Sequence, residues 1–314
     1  IAPIPYNDYK INLLDTSGHP DFIGDTLATM EAAEMAMFVI DAVAGPQVMT
    51  TRLWHEAEYM RLSRSVFVNH IDRENASFDV IMAQLHARFG SRLGAVTIPI
   101  GVDREFRGII DVCKMIAWEW TSGNIEEIKV PPQYMSKARE VREMCMEAAA
   151  EGDDELLEKY LNGDELTLEE LRFGLHQGML TGRVCPVMCG SATRHIGTTE
   201  LLRYMPDASQ KVMMGTDTKS GDPVMVYPNK PFTGFVFKTL IDPFSGKLSY
   251  IRIFSGELKE GDKILNVTQN KEEKLGKVFT LVGKEQVPVE KATAGDIVVL
   301  PKLNTAKTGD TFAT

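Results

Sequence analysis

The sequence has 314 residues and a formal net charge of −10. This charge argues against a surface that grips nucleic acid everywhere, although it leaves room for a local basic patch. The length predicts two or three units, no stretch approaches the roughly 18 apolar residues of a membrane span, and we expect neither a membrane nor DNA among the partners.

Apolar runs alternate with helical patterns in the first 90 residues. The runs YKINLLD, AMFVIDAV and SVFVNHID read as buried strands, and the last helix is predicted to begin after a Ser77 cap and to stop at Gly90. This alternation predicts a mostly parallel, doubly wound sheet whose ligand site lies at the carboxyl ends of its strands. Candidate side chains at those ends are Asp15, Asp41 and Asn69.

The rhythm then changes twice. Short antiparallel strands and an acidic helical stretch interrupt the first pattern, the run VCPVMCGSA resumes it, and many short strands with glycine turns end the chain, which is typical of a small closed β-barrel. The predicted domains are 1–97 and 184–210 for the doubly wound core, 98–183 for an insertion, 211–228 for a linker and 229–314 for the barrel.

The cysteines and the first residues bear on where the protein works. Four cysteines occur without a C-x-x-C pair, which suits the reducing cytoplasm, and IAPIPYNDYK lacks the features of a signal peptide. We therefore expect an intracellular, cytoplasmic protein. The chain starts without methionine and enters a strand almost at once, from which we expect it to be part of a longer protein.

The first motif, DTSGH, runs from Asp15 to His19. A strand-end aspartate can hold Mg²⁺ through water, the Gly18 amide can donate to a γ-phosphate, and His19 can orient an attacking water. The same four letters Asp-Thr-Ser-Gly also suit an ordinary turn.

The second and third motifs end later strands. In NHID, the Asp72 carboxylate can accept two donors from the Watson–Crick edge of guanine while Asn69 pins the loop, although the two residues would also make a good strand-end turn. In GSA, the amides of Ser191 and Ala192 could contact a base carbonyl, but this tripeptide is common.

Together these motifs resemble the Asp-Thr-Pro-Gly-His, Asn-Lys-x-Asp and Ser-Ala motifs of translational GTPases. Segments such as VFVNHIDRENASFD, EEIKVPPQY, LLEKYLNGDEL and SGDPVMVYPNKPFTGFVFKTLIDPFSGKLSYIRIFSGELKEGD resemble the elongation factor G family along nearly the whole chain. The resemblance implies an α/β doubly wound GTPase domain, incomplete and with an inserted α+β subdomain, followed by a small antiparallel β-barrel.

The resemblance also implies roles for single residues. His19 would be the catalytic histidine, assisted by ribosomal RNA, and Asp15 would hold Mg through water. The nucleotide, GTP or GDP, would contact Asp15, Gly18, Asn69, His70, Asp72, Ser191 and Ala192. The implied partner is the ribosome: its RNA, a stalk protein near the insertion and the small subunit near the barrel.

Three features depart from the family pattern. These 314 residues contain no G-x-x-x-x-G-K-[ST] loop to cradle phosphates, Ser17 stands where the family has proline, and His70 stands where it has lysine. Losing three charged hydrogen bonds at about 1.5 kcal/mol each would weaken nucleotide binding roughly a thousandfold. We therefore predict that the chain alone is inactive.

The expected function is that of a truncated elongation factor G whose parent hydrolyses GTP on the ribosome to drive translocation. Ser17 and His70 leave two alternatives open. One is a ribosomal protection or release GTPase of the same superfamily, and the other is a ribosome-binding module that does not hydrolyse nucleotide.

Overall fold

The computed structural model describes residues 1–121, 124–208, 213–216, 223–226, 228–243, 245–283 and 285–314; at 206–208, 213–216 and 223–226 it describes the backbone alone. Contacts divide the chain into two compact units. We name Ile1–Ala33 with Lys211–Thr314 the β-rich unit, and Glu34–Gln210 the α/β unit. No helix in these described ranges is both long and apolar enough to cross a bilayer.

The first 33 residues form a hairpin and a short helix. Two strands pair antiparallel in a sheet of their own, with Tyr6 opposite Tyr9 at the turn. The elements are β1 (Ala2–Tyr6), β2 (Tyr9–Leu13) and α1 (Ile23–Met30).

The strand predicted at YKINLLD exists as β2, but it lies outside the parallel sheet in which we expected it. The following residue, Leu14, packs with Phe237 and Ile297 of the β-rich unit. The Lys10 ammonium lies 2.6 Å from the Asp296 carboxylate. An apolar run predicts burial without specifying which strand it pairs with. The contacts therefore separate residues 1–33 from the remainder of the predicted core 1–97.

The α/β unit combines a parallel sheet, an antiparallel sheet and the helices that accompany them. Its helix over residues 78–89 begins after Ser77, whose hydroxyl accepts from the Val80 amide, and ends at Gly90 with a φ of 85°, as predicted. In chain order the elements are β3 (Met35–Asp41), α2 (Val48–Tyr59), β4 (Ser63–Asn69), α3 (Phe78–Phe89), β5 (Leu93–Ala95), β6 (Thr97–Ile100), β7 (Gly108–Asp111), β8 (Ile116–Thr121), β9 (Asn124–Lys129), α4 (Met135–Ala150), α5 (Asp154–Leu161), α6 (Leu168–Thr181), β10 (Cys185–Cys189) and α7 (Thr198–Ala208).

The parallel sheet has the strand order β3-β4-β10-β5. Strands β6 to β9 form a separate antiparallel sheet, which together with α4 to α6 lies between β5 and β10 in the sequence. Because β5 and β10 are neighbours in the parallel sheet, the insertion leaves and returns at adjacent strands. The predicted doubly wound domain with an inserted α+β subdomain is confirmed.

In the described part of the chain after α7, the regular elements are all strands. The predicted linker 211–228 contains the paired strands β11 and β12, and its other residues apart from 228 lie outside the described part. The elements are β11 (Met213–Thr216), β12 (Pro223–Val226), β13 (Thr233–Asp242), β14 (Gly246–Ser255), β15 (Glu257–Lys259), β16 (Lys263–Asn266), β17 (Lys271–Lys274), β18 (Val278–Val282), β19 (Glu285–Val289), β20 (Lys291–Thr293), β21 (Ile297–Pro301) and β22 (Thr311–Ala313).

An antiparallel sheet of eight strands encloses the core of the β-rich unit. Its order is β17-β16-β22-β13-β14-β21-β18-β19. Side chains from neighbouring strands, such as Val236, Ile251 and Phe312, are fully buried in one apolar cluster. The predicted antiparallel β domain is confirmed, whereas its closure into a barrel stays a prediction, since the order of the described strands ends at β17 and β19 without pairing them.

A hydrogen bond joins α7 to the inserted sheet, and two buried carboxyl groups, Asp111 and Glu200, lie in this region. The Tyr204 hydroxyl donates to Asp111 Oδ2 at 3.3 Å, and Glu200 lies one helical turn before Tyr204. Burial raises the pKa of both carboxyl groups, and Glu200 Oε2 has no hydrogen-bond partner among the described residues. A buried charge of this kind costs stability.

We expect Glu200→Gln to flatten the pH dependence of unfolding. Because burial raises the pKa of Glu200 above its ordinary 4.5, the folded state binds this proton more tightly than the unfolded state does. The stability of the wild type therefore falls as the pH rises through the window that begins at that value. Thermal unfolding at several pH values from about 5 to 8 measures this.

The control is Glu158→Gln on α5, which removes an exposed charge. The prediction is contradicted if Glu200→Gln and Glu158→Gln change the pH profile equally.

Candidate functional site

The carboxyl edge of the parallel sheet brings two distant loops together. Asn69 ends β4 directly opposite Asp41 of β3. The Asn69 Oδ1 atom accepts a hydrogen bond of 2.9 Å from the amide of Ala192, which follows β10. The Ile71 amide also donates to the Gly190 carbonyl oxygen at 3.2 Å. These bonds fix the NHID loop against the GSA loop.

The GSA loop is held tightly by its own residues. Ser191 is fully buried, its hydroxyl lies 3.1 Å from that of Thr193, and its backbone pairs with Ile196. At Gly190 an added Cβ would lie 2.2 Å from the Ile196 carbonyl oxygen, so that only glycine fits this closed turn. Ala192 is left exposed beside Asn69.

Asp72 carries the most informative feature of this edge. Its Oδ1 atom is buried and has no hydrogen-bond partner among the described residues. An unsatisfied buried carboxylate oxygen costs free energy, which a donor from a bound molecule would recover. The predicted base-reading residue thus contains a buried acceptor oxygen without a donor among the described residues, in the loop that Asn69 fixes.

Asp41, at the end of β3, is by contrast a fully used acceptor. Its Oδ1 atom receives the amides of Val43 and Ala44 at 2.9 Å each, and its Oδ2 atom lies 2.7 Å from His70 Nδ1 and 3.0 Å from Arg73 Nη1. Burial acts to raise the pKa of Asp41, but the Ala44 amide, His70 and the Val43 amide outweigh it and lower this pKa to about 2.

Sequence reasoning named Asp41 and His70 but missed both their pairing and Arg73. The one signal in the sequence was that neighbouring apolar runs end at Asp41 and Asn69. The register of β3 against β4 places these two residues opposite each other. Nothing in the spacing of the sequence singled out Arg73.

The DTSGH segment lies in the β-rich unit, whereas the other predicted site residues lie in the α/β unit. Asp15, Gly18 and His19 are all exposed. The Ser17 hydroxyl accepts from the His19 amide at 3.1 Å, and the Ser17 carbonyl accepts from the Thr26 hydroxyl at 3.0 Å. Serine in place of proline therefore holds the turn by hydrogen bonds.

His19 also has a local structural role. Its Nδ1 atom accepts from the Asp21 amide at 3.3 Å and so caps the short 3-10 helix Pro20–Phe22. The ring is mostly exposed, and its Nε2 atom makes no hydrogen bond within the described residues. That nitrogen is available to a water molecule.

The described residues do not make a complete metal site by themselves. They contain no group of three or more His, Cys, Asp or Glu side chains that could hold a metal ion. Asp15 offers one exposed carboxylate. Mg²⁺ is commonly bound by one or two carboxylates together with substrate phosphates. Asp15 therefore fits only as one contributor to a site that a nucleotide completes.

Comparison with known proteins gives matches along almost the whole chain. Residues 2–211 match the elongation factor Tu GTP binding domain, and residues 231–314 match elongation factor G domain 2. The first match begins before Ala33, so the hairpin and α1 belong to the sequence of that domain. Their contacts nevertheless group them with residues 211–314 in the β-rich unit.

Individual relatives agree with these matches. The chain is 34% identical to elongation factor G of Aquifex pyrophilus over 315 residues, which is 97% of this chain and 45% of that protein. It is 32% identical to an elongation factor G-like protein of Thermotoga maritima over 321 residues, 100% of this chain and 46% of that protein. A crystal structure of a Thermus thermophilus protein matches all of this chain and 45% of its own with a TM-score of 0.87 and 30% identity. The chain spans slightly less than half the length of these relatives.

We expect Asn69→Ala to loosen the junction between the two loops. The variant removes the acceptor of the Ala192 amide, and because Ala192 is exposed, water compensates part of the loss. The free energy of unfolding should fall by about 1 kcal/mol. Hydrogen exchange at the Ala192 amide should become faster, which NMR measures directly.

The matched control is Asn162→Ala at the exposed end of α5. Unchanged exchange at Ala192 in Asn69→Ala would contradict the assigned hydrogen bond.

Proposed function

The chain belongs to the translational GTPases that share the elongation factor Tu GTP-binding domain and carries elongation factor G domain 2 after it, and from this we propose that the complete gene product hydrolyses GTP on the ribosome to promote translocation. Family membership implies guanine-nucleotide binding. The geometry of the α/β unit supports an assignment of residues to that binding.

The unsatisfied Asp72 oxygen carries the proposal. Guanine presents two donors side by side, N1–H and the 2-amino group, and a carboxylate can accept both. Adenine presents no such pair at this edge, so that binding it would leave Asp72 unpaired at a cost that discriminates strongly. Asn69 fixes the loop through Ala192, and the buried Ser191 would support the base-reading residues from the GSA loop.

The DTSGH segment would serve the phosphate end of the nucleotide. Gly18 offers an amide to the γ-phosphate, and His19 would orient the attacking water with ribosomal RNA assisting. Mg²⁺, when bound with the phosphates, would supply neutralisation of their charge. Asp15 would hold it through water. Asp15, Gly18 and His19 are all exposed, which is compatible with these roles.

The ribosome is the partner that this proposal implies. The inserted subdomain would approach a stalk protein, and the β domain at the end of the chain would pack against the small subunit. The buried free cysteines and a ribosomal partner both suit the cytoplasm.

We further propose that these 314 residues alone do not turn over GTP. The glycine-rich loop that cradles phosphates in this family has no counterpart between Ile1 and Thr314. The base-reading part of the site is present, but the phosphates carry much of the binding energy of a nucleotide.

The Asp41–His70 pair favours a second candidate function. His70 of this pair stands where the family motif has lysine, and its imidazole differs from lysine in charge and reach. A protein with such a change could protect or release ribosomes, or bind them without hydrolysis. Multiple-turnover GTP hydrolysis by the complete gene product with purified ribosomes would exclude the non-hydrolysing module, and translocation in the same assay would exclude the protection or release function.

We expect Asp72→Asn in the complete gene product to change the base preference from guanine to xanthine. The NH₂ group of asparagine would face the 2-amino group of guanine, and two donors cannot form a hydrogen bond. The 2-carbonyl oxygen of xanthine can accept from the same NH₂ group. GDP affinity should fall on the order of 100-fold and XDP affinity should rise. Calorimetric titration with both nucleotides measures the change in preference.

The control is Asp164→Asn, which replaces an exposed carboxylate away from this loop. Undiminished GDP affinity in Asp72→Asn would remove Asp72 from the site.

We expect His19→Ala to slow GTP hydrolysis without changing nucleotide affinity. A histidine that orients or activates water contributes about 100-fold or more to the rate. The turnover number with ribosomes should fall by that factor while the Kd for GDP stays within about twofold. The control is His55→Ala on the exposed side of α2. Equal turnover in His19→Ala and the wild type would exclude the catalytic role.

A further inference from the structure

His70 adopts a backbone conformation that few non-glycine residues adopt. Its φ is +65°, in the left-handed region, directly after Asn69 at the end of β4. This turn brings the ring back toward β3, where its Nδ1 atom lies 2.7 Å from Asp41 Oδ2. The side chain is only one quarter exposed. The ring is therefore held in one place.

Asp41 is itself fixed by the backbone. The amides of Val43 and Ala44 both donate to its Oδ1 atom. The amide of Ala42, the residue directly after Asp41, donates to the Asn69 carbonyl oxygen at 2.9 Å. The other carboxylate oxygen is thus aimed at His70 and Arg73 by a rigid strand end. Low exposure and several hydrogen bonds distinguish this pair from an ordinary surface ion pair.

We propose that Asp41 is a positioning residue for the nucleotide base: it holds the His70 imidazole beside the base-reading loops, so that the ring forms the face on which the base stacks. This inference rests on the proposed function. Asp41 acts through His70, with Arg73 as a second partner on the same carboxylate oxygen. The imidazole replaces the lysine stem that the family motif has at this position.

The division of labour has a measurable consequence. Stacking on a ring tolerates any base, because every base has a π-face. Selection of guanine would then come from Asp72 and be independent of the stack. Loss of Asp41 should weaken GDP and IDP by the same factor, since the two nucleotides differ only in the 2-amino group that Asp72 reads.

Asp41→Asn in the complete gene product tests this. Asparagine keeps one oxygen for the Val43 and Ala44 amides, while its NH₂ group cannot accept from Arg73 or from a protonated Nδ1 of His70. We expect a loss of about fivefold to tenfold in affinity for both GDP and IDP, with the ratio of the two unchanged. Calorimetric titration measures both constants.

Two further variants distinguish positioning from a general structural effect. In a His70→Ala background, Asp41→Asn should cause no further loss, because the ring that it positions is gone. Adding His70→Lys to Asp41→Asn should restore GDP affinity, because a lysine stem covers the base without needing the aspartate. If Asp41→Asn does not fold, His70→Ala alone decides, with the same expected loss for GDP and IDP.

Several outcomes overturn the inference. One is unchanged GDP affinity in Asp41→Asn or in His70→Ala. Another is a changed ratio of GDP to IDP, which would mean that Asp41 acts on Asp72. A third is an undiminished effect of Asp41→Asn in the His70→Ala background. Absence of GDP binding in the wild type would overturn the proposed function together with this inference, whereas wild-type binding with an unaffected Asp41→Asn overturns this inference alone.

Discussion

The hydrogen bond from the Ala192 amide to Asn69 Oδ1 joins two loops that are 123 positions apart in the sequence. It exists because β4 and β10 are parallel neighbours, so that their carboxyl ends meet at one edge. The whole inserted subdomain lies between them in the chain, yet it leaves and returns at the adjacent strands β5 and β10. The NHID and GSA loops therefore meet at one edge of the sheet although the insertion separates them in the sequence.

Two carboxylates at the ends of adjacent strands differ in how their oxygens are used. Asp41 has donors for both of its oxygens, and these hold its pKa low. Asp72 has a buried oxygen without a donor in the described structure. A protein gains no stability from such an oxygen. The contrast supports the proposed division of roles, in which Asp41 holds structure and Asp72 binds a ligand.

Local patterns predicted much of this. The apolar runs that became β3, β4 and β10 gave the parallel sheet, and the order of strand ends placed Asn69 beside the GSA loop. The hairpin formed by β1 and β2 could not be placed, because an apolar strand pattern does not specify a pairing partner. The pairing of His70 with Asp41 was also hidden, since it depends on a left-handed turn at His70, a conformation that histidine adopts only in a minority of cases.

The central proposal is that the α/β unit reads guanine although these 314 residues contain no glycine-rich phosphate loop. Paired calorimetric titrations of this chain and of the complete gene product with GDP, using ADP as the comparison, test it most directly. The account predicts GDP binding by the complete gene product, binding by the chain alone that is roughly a thousandfold weaker, and no measurable ADP binding by either. Equal GDP affinity of the two proteins, or equal affinity of the complete gene product for GDP and ADP, would contradict it.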